Sequence, residues 1–400
     1  MYAGQSLQDV RMHAARALFD FEICAAAGKR ARGAQLGDGP AALAGAAHAL
    51  DRDDLHWRSL THPGAIVWAV VLSAGPEADL SGADAIRAAA VGYEITTRLA
   101  SALGAAHRRY WHATATAGTA GAAAAAALAL GLDERAVAQA VGHAVSVAGG
   151  SIQCVVERSG TRLFHRAHAA ASGLAAARAA RAGLNATRFG LESEQGLFAA
   201  AAGGNPAEAV LAVPSRWAIE ELWIRTHAAS GFAHTALEAA VELGPVRREE
   251  VRRIEVAAPR ASLALAGVTN PTDREEAWWS VPYAVAVCLI AGSPEPLESE
   301  ALLDVSDLLA STALTDSADD LPATVSIELD DGTVRSATCK VPLGHPERPL
   351  KDDELIAKWR RLEVGTDREA ESLLDLAQRF GELSVCDYLA LRPASLEGPA

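Results

Sequence analysis

Between Leu50 and Leu72 the chain reads LDRDDLHWRSLTHPGAIVWAVVL, with Asp51 and Asp54 three residues apart and His62 eight residues after the second. Carboxylates and an imidazole at close range can take, hold and return a proton, so acid–base chemistry is the first possibility. If the turn is helical, the two acids share one face. Pro63 at a first helical position makes His62 the expected N-cap of an apolar helix over 63–74. Unpaired N–H groups at such a start attract an anion, and the positive helix end disfavours imidazolium, leaving His62 available as a base. The plainer alternative is that Asp51 and Asp54 are capping or solvated acids and His62 only a cap.

WHATATAGTAGAAAAAALAL repeats the arrangement, with His112 ahead of Thr114 and Thr116 at the start of another apolar helix. It reads equally as a histidine packed under Trp111. In SGTRLFHRAHAAASG, Arg162, His165, Arg166 and His168 gather near a helix start. Arginines there suit bidentate contact with a carboxylate, or a salt-bridge face between domains, and the spacing does not make a metal site. Further on, Arg225, His227, Ser230 and His234 precede an apolar helix, and AWWSVPYAVAVCL carries Tyr283. That tyrosine reads as core with a satisfied hydroxyl or, on the sharper reading, as a proton donor. The sequence contains no glycine-rich phosphate loop, G-x-S-x-G elbow or cysteine-nucleophile context. An inventory of His, Asp, Arg and Tyr suits proton transfer beside a carboxylate.

The elements that must position these residues are mostly helical. Apolar residues at three- and four-residue spacing predict helices over 8–27, 40–50, 63–74, 82–104, 114–130, 134–148, 162–182 and 206–212. Gly131 closes one helix and Asp133 caps the next. After about residue 220 the pattern changes. VRRIEVAAPRA reads as a strand, and TVSIELDDGTVRSATCKV as two strands joined through Asp331 and Gly332. Helices over 233–243 and 276–291 lie between them, and KDDELIAKWRRL and DREAESLLDLAQRF return to helical periodicity.

With 400 residues, 50% of them hydrophobic, the chain can bury a large core, which excludes a disordered or fibrous class. Aromatics at only 5% beside recurrent alanine runs point to close-packed helices with small side chains. A net charge of -14 without a basic stripe makes nucleic acid and anionic membrane poor partners. The longest mildly apolar run, 113–130, is Ala, Thr and Gly and does not suit a membrane span. Five scattered cysteines read as reduced core thiols of a cytoplasmic protein, and the N-terminus lacks the pattern of a signal peptide.

Taken in order, these segments resemble the MmgE/PrpD family, which includes 2-methylcitrate dehydratase, cis-aconitate decarboxylase and iminodisuccinate epimerase. The resemblance covers about residues 10–390. It rests on D-x-D-D followed by T-H-P-G, the W-H start of the Ala-Gly helix, R-x-x-H, H-x-A-x-x-A-A, S-x-P-Y, and the D-D-G hairpin with GHPERPLKDDELIAKW. It implies a mostly α fold, with a large all-helical domain over 1–219 completed by 360–400 and a smaller α+β lid domain over 220–359. It further implies a cofactor-independent, metal-free active site between them, in a homodimer. By motif, Asp51 matches the family's active-site aspartate, and His62 and His112 its two histidines. Arg225 falls where decarboxylase members carry a lid lysine and Tyr283 where they carry a tyrosine. Another lysine of those members is replaced here by Ala171, a histidine by Ser230 and a threonine by Leu55. Arginine keeps a carboxylate anchor but removes a group able to give up its proton, which weighs against tricarboxylate substrates and decarboxylation.

The expectation is a lyase, foremost a dehydratase, acting on a small hydroxy-carboxylate. His62 takes the proton alpha to a carboxylate held by Arg225 and a helix N-terminus, with Arg162, His165, Asp54 and Ser230 also touching substrate. His112 or Tyr283 protonates the departing hydroxide, and Asp51 orients an imidazole. An epimerase or decarboxylase using the same enolate, or a non-catalytic carboxylate-binding relative, are the alternatives.

Overall fold

Small side chains dictate how the helices pack. The computed structural model describes residues 7–31, 36–206, 215–299, 301–317 and 320–397. Contacts divide the chain into two compact units, Met1–Ile224 with Lys351–Ala400, and Arg225–Leu350. The first unit begins with α1 (Leu7–Lys29), α2 (Pro40–His48), α3 (Pro63–Ala74), α4 (Gly82–Arg108), α5 (Ala113–Ala129) and α6 (Glu134–Val147). The single-turn α7 (Gln153–Val156), α8 (Thr161–Arg181) and α9 (Leu197–Ala202) follow. The expected helix over 206–212 falls, beyond residue 206, outside the described residues.

α5 is the centre of this unit, buried along its length except at Leu128 and packed by α3, α4, α6 and α8. A helix covered on every side has to be apolar all round, which its alanines satisfy. Glycines set the approach distances. A Cβ on Gly173 of α8 would lie 2.3 Å from the Cβ of Ala122, and one on Gly121 would lie 2.6 Å from the Gly92 carbonyl oxygen of α4. Asp133 caps α6 through the Ala136 N–H at 2.8 Å, as its sequence context predicts. Several helix ends differ from expectation, and two of the differences have a visible cause. α2 stops at His48 instead of residue 50, because the chain turns into a left-handed Asp51 at φ 52°. α4 runs on to Arg108 across a break at Gly104, where φ is 66°.

The second unit contains α10 (His234–Leu243), β1 (Val251–Pro259), α11 (Arg260–Ala266), α12 (Arg274–Trp278), α13 (Val281–Ala291), α14 (Ser306–Ala310), β2 (Thr312–Ser317), β3 (Ala323–Leu329) and β4 (Val334–Cys339). The sheet order is β2-β1-β3-β4, with β1 and β2 parallel and the other neighbours antiparallel. Ala323, Val325 and Ile327 alternate inward along β3, and α10 packs on β3 and β4. The β3–β4 turn uses Gly332 at φ 84°, as the Asp-Gly signal predicts. β2 was not expected. The helix expected over 276–291 is two, because Ser280 caps α13 through the Tyr283 N–H and Pro282 has no N–H to carry the earlier helix forward.

The chain closes with α15 (Asp352–Arg361), α16 (Asp367–Gln378) and α17 (Val385–Leu391), all in the first unit. Most of α15 belonged to the second domain by the sequence boundary, yet its fully buried Lys358 pairs with Asp20 of α1 and donates to the Arg52 carbonyl at 2.7 Å. The fold is thus mostly α with a small α+β region. Among the described residues no helix is long and apolar enough to cross a membrane. Gly121→Ala should lower stability by roughly 1–3 kcal/mol, since the added methyl meets backbone. Denaturant midpoints measure this, and an unchanged midpoint would contradict the packing assigned to α5.

Candidate active site

The loop between α2 and α3 carries the D-R-D-D run, and it is not helical. Asp51 and Asp54 therefore do not share a face. Asp54 spends both oxygens on the fold: Oδ1 accepts the Gly64 N–H at 2.9 Å and Oδ2 the Tyr93 hydroxyl at 2.7 Å. This side chain thus occupies the anion-favouring start of α3. Asp51 lies 3.4 Å from a guanidinium nitrogen of Arg162 and 4.0 Å from Nε2 of His48.

His62 is the residue before Pro63 and α3, as expected, but its side chain makes no cap bond. Its Nδ1 lies 2.9 Å from the Asp54 carbonyl oxygen and 3.6 Å from Oδ1 of Asp53. That same Oδ1 is 2.7 Å from Nδ1 of His48, whose ring centroid is 5.0 Å from that of His62. Asp53, rather than Asp54, is thus the carboxylate between two imidazoles. Burial, with help from Arg166, pulls His48 down to about 4, so it is neutral at physiological pH.

The start of α5 lies alongside. The His62 N–H donates to Thr114 Oγ1 at 3.3 Å, tying the two helix starts together. His112 donates its own N–H to Gly150 at 2.8 Å and sets Nδ1 3.0 Å from Nδ1 of His165 on α8. Burial, then Arg166, hold His112 well below the usual imidazole value, and the same causes bring His165 to about 4. Cys154 of α7 lies 3.5 Å from the same His165 nitrogen. Arg166 is fully buried and donates to the Arg162 carbonyl at 2.8 Å. Burial lowers its guanidinium to about 10, still charged at neutral pH.

Asp51, His62, His112, Arg162 and His165 therefore share one region of the first unit. His168 does not join them, being exposed against Phe164 and Ser172 on another face of α8. Arg225, Ser230 and Tyr283 belong to the second unit. Arg225 is buried there, and Ser230 offers its backbone, donating to the Trp278 carbonyl at 2.7 Å and accepting from the His234 ring at 3.0 Å. The Tyr283 oxygen accepts the Leu303 N–H at 2.8 Å, and burial raises its hydroxyl above the ordinary value.

The description of the MmgE/PrpD N-terminal domain matches residues 30–209, and that of the C-terminal domain matches residues 227–380. The chain belongs to the MmgE/PrpD family. Human cis-aconitate decarboxylase is 28% identical over 388 residues, covering 89% of this chain and 78% of that protein. The cis-aconitate decarboxylase-like protein oryM of Aspergillus oryzae is 28% identical over 78% of this chain and 73% of its own. A cis-aconitate decarboxylase of Aspergillus terreus is 26% identical, covering 82% and 75% respectively.

Four further groups lie in this region of the first unit. His48 ends an Ala-rich helix whose periodicity carries no sign of chemistry, and Asp53 is chosen over its neighbours only by the turn. Arg166 was visible in its cluster but not singled out. Cys154, buried as expected of a core thiol, sits among the histidines, whereas Cys386 is exposed instead of buried. Among the described residues, two sets of side chains have ligand atoms within 4.8 Å of one another, His112 with Cys154 and His165, and His48 with Asp53 and His62.

Burial raises Asp54 to about 7, against the Tyr93 and Gly64 hydrogen bonds that favour its anion. A folded value above the unfolded one gives stability that is fully present below the ordinary carboxylate range and lost as pH rises through about 7. His48 acts oppositely, losing stability as pH falls from its ordinary value towards about 4. Comparing Asp54→Asn with wild type isolates the first effect. The variant should gain stability relative to wild type as pH rises from about 5 to about 8. A pH-independent difference between the denaturation curves would refute this titration.

Proposed function

We propose that this MmgE/PrpD member is a lyase that removes the proton beside a carboxylate of a small hydroxy acid, with His62 as the base. One observation carries the reading. The Asp54 carbonyl, 2.9 Å from Nδ1 of His62, can only accept a hydrogen bond, so Nδ1 holds the hydrogen and Nε2 the basic lone pair. Asp53, 3.6 Å from the same Nδ1, favours the imidazolium formed when the proton arrives.

A carbon acid beside a carboxylate is weak, and its enolate needs fixed positive charge and hydrogen-bond donors. Arg162 and Arg166 supply charge, while His112 is too depressed in pKa to be an imidazolium. A neutral imidazole near a helix start can instead donate its N–H to an enolate oxygen without losing the proton. That revises the expected division of labour, because the stronger acid is then the His62 imidazolium itself. In elimination, the Cα–H electrons become the C=C bond as the Cβ–O bond breaks, and the proton held by His62 leaves with the hydroxide as water. Support for Arg225 and Ser230 as carboxylate ligands and for Tyr283 as a donor comes from the family resemblance alone. A cofactor-independent homodimer belongs to the same proposal on the same ground, and a cytoplasmic location on the scattered cysteines.

Decarboxylation is the second reading, favoured by relatives that bear the name cis-aconitate decarboxylase. There the enolate arises by loss of carbon dioxide and His62 protonates it. Ala171 and Ser230, standing where such members carry Lys and His, favour elimination.

Proton NMR in deuterated buffer with citrate, 2-methylcitrate, cis-aconitate, malate and aspartate-type acids separates the outcomes. We expect loss of an alpha-proton signal with growth of a vinyl signal and no carbon dioxide. Carbon dioxide release would move the assignment to decarboxylation, and exchange alone to epimerisation. His62→Ala should reduce turnover about a hundredfold or more at an unchanged melting temperature. Full turnover in a folded His62→Ala protein would remove His62 from the chemistry.

A further inference from the structure

We propose that His112, Cys154 and His165 form a binding site for a thiophilic divalent cation of the zinc class. Zinc bonds of about 2.0–2.1 Å to nitrogen and 2.3 Å to sulfur at tetrahedral angles put two nitrogens about 3.3 Å apart and nitrogen and sulfur about 3.6 Å apart. The two Nδ1 atoms are 3.0 Å apart, and Cys154 Sγ is 3.5 Å from Nδ1 of His165. All three ligand atoms lie within 4.8 Å of one another. Small side-chain movements would complete three corners of a tetrahedron.

The backbone holds the ligands in this arrangement. Ile152 donates to the Tyr110 carbonyl at 3.0 Å and His112 to the Gly150 carbonyl at 2.8 Å, which pins α7 against the start of α5. Gly150, at φ 113°, makes room for the ring of His165, since a Cβ there would stand 3.2 Å from its Nδ1. One sulfur and two imidazoles with no oxygen donor select zinc-like ions over magnesium or calcium. Both imidazoles are already neutral, the form that binds metal. The Cys154 thiol, raised by burial, must release its proton as the ion enters. Arg166 opposes any cation here, because its charge acts on both His112 and Cys154. The thiolate is the anion within the ligand set, so removing the sulfur should cost more than one ligand bond. Three protein ligands leave a fourth position for water.

Titration of the full-length chain with cobalt(II) tests the site. We expect one ion per chain, release of one proton, a thiolate-to-cobalt charge-transfer band in the near ultraviolet, and displacement by zinc. Cys154→Ser should abolish the band and weaken binding by at least about tenfold, with His165→Asn weakening it similarly. Wild-type binding without the thiolate band, or unchanged affinity in a folded Cys154→Ser protein, would overturn the site. Should Cys154→Ser fail to fold, the wild-type band and the His165→Asn affinity still decide.

Discussion

The Asp54 carboxylate is buried between the Gly64 N–H at the start of α3 and the hydroxyl of Tyr93 on α4. Raised by burial to about 7, it is only partly ionised at neutral pH, and it gives the start of α3 an acceptor that comes from the chain itself. Gly64 cannot carry a side chain, because a Cβ would come within 2.3 Å of that carboxylate. With the side chain so committed, the backbone carbonyl of Asp54 is aimed at Nδ1 of His62 and sets its tautomer. One residue thereby fixes the helix, the loop and the proton-carrying state of the ring that follows. The other side of the loop is held at Arg52, whose carbonyl takes a hydrogen bond from Lys358.

Holding that loop concentrates charge where burial is costly. Asp51, Asp53, Arg162, Arg166, Asp20 and Lys358 are all buried, and such groups are tolerated only when paired and hydrogen-bonded. The pairs are Lys358 with Asp20 and Arg162 with Asp51, with the charge of Arg166 acting on Asp51 and Asp53. A cluster of this kind adds little net stability. The stability needed to carry it is supplied next door by α5, whose alanines and glycines bury nearly every atom against four neighbouring helices. The region rich in chemistry and the region poor in it are adjacent because the second supports the first.

Much of this was legible in the sequence wherever the cause is local. Asp133 as a cap, Pro63 at a helix start, the Asp-Gly hairpin and the alanine periodicity each state their own structure. His62 and His112 were visible because helix starts are marked by neighbouring residues. What lay hidden depends on contacts distant in the chain or on a single dihedral. Asp51 in the left-handed region turns the D-R-D-D run so that Asp53, not Asp54, meets the imidazoles. β2 has weak alternation of its own and pairs in parallel with β1, a partner more than fifty residues away. Lys358 reaches Asp20 across most of the chain, and Cys154 arrives on a single-turn helix, too short for a periodic signal.

The charges in the first unit also constrain which group can move a proton. Arg166 stays protonated at neutral pH, so it can bind or polarise a carboxylate but cannot act as a base. Lys358 is committed to Asp20 and the Arg52 carbonyl. His48, His112 and His165 are all held below the ordinary imidazole value, which makes them poor proton acceptors. His62 shares the Asp53 oxygen with His48, but the Asp54 carbonyl holds the hydrogen on its Nδ1 and leaves Nε2 with the lone pair. On this reading one histidine both accepts and returns the proton, while its neighbours remain neutral donors. A single base works on one face of the substrate, which fits elimination better than inversion, since inversion requires a second acid on the opposite face.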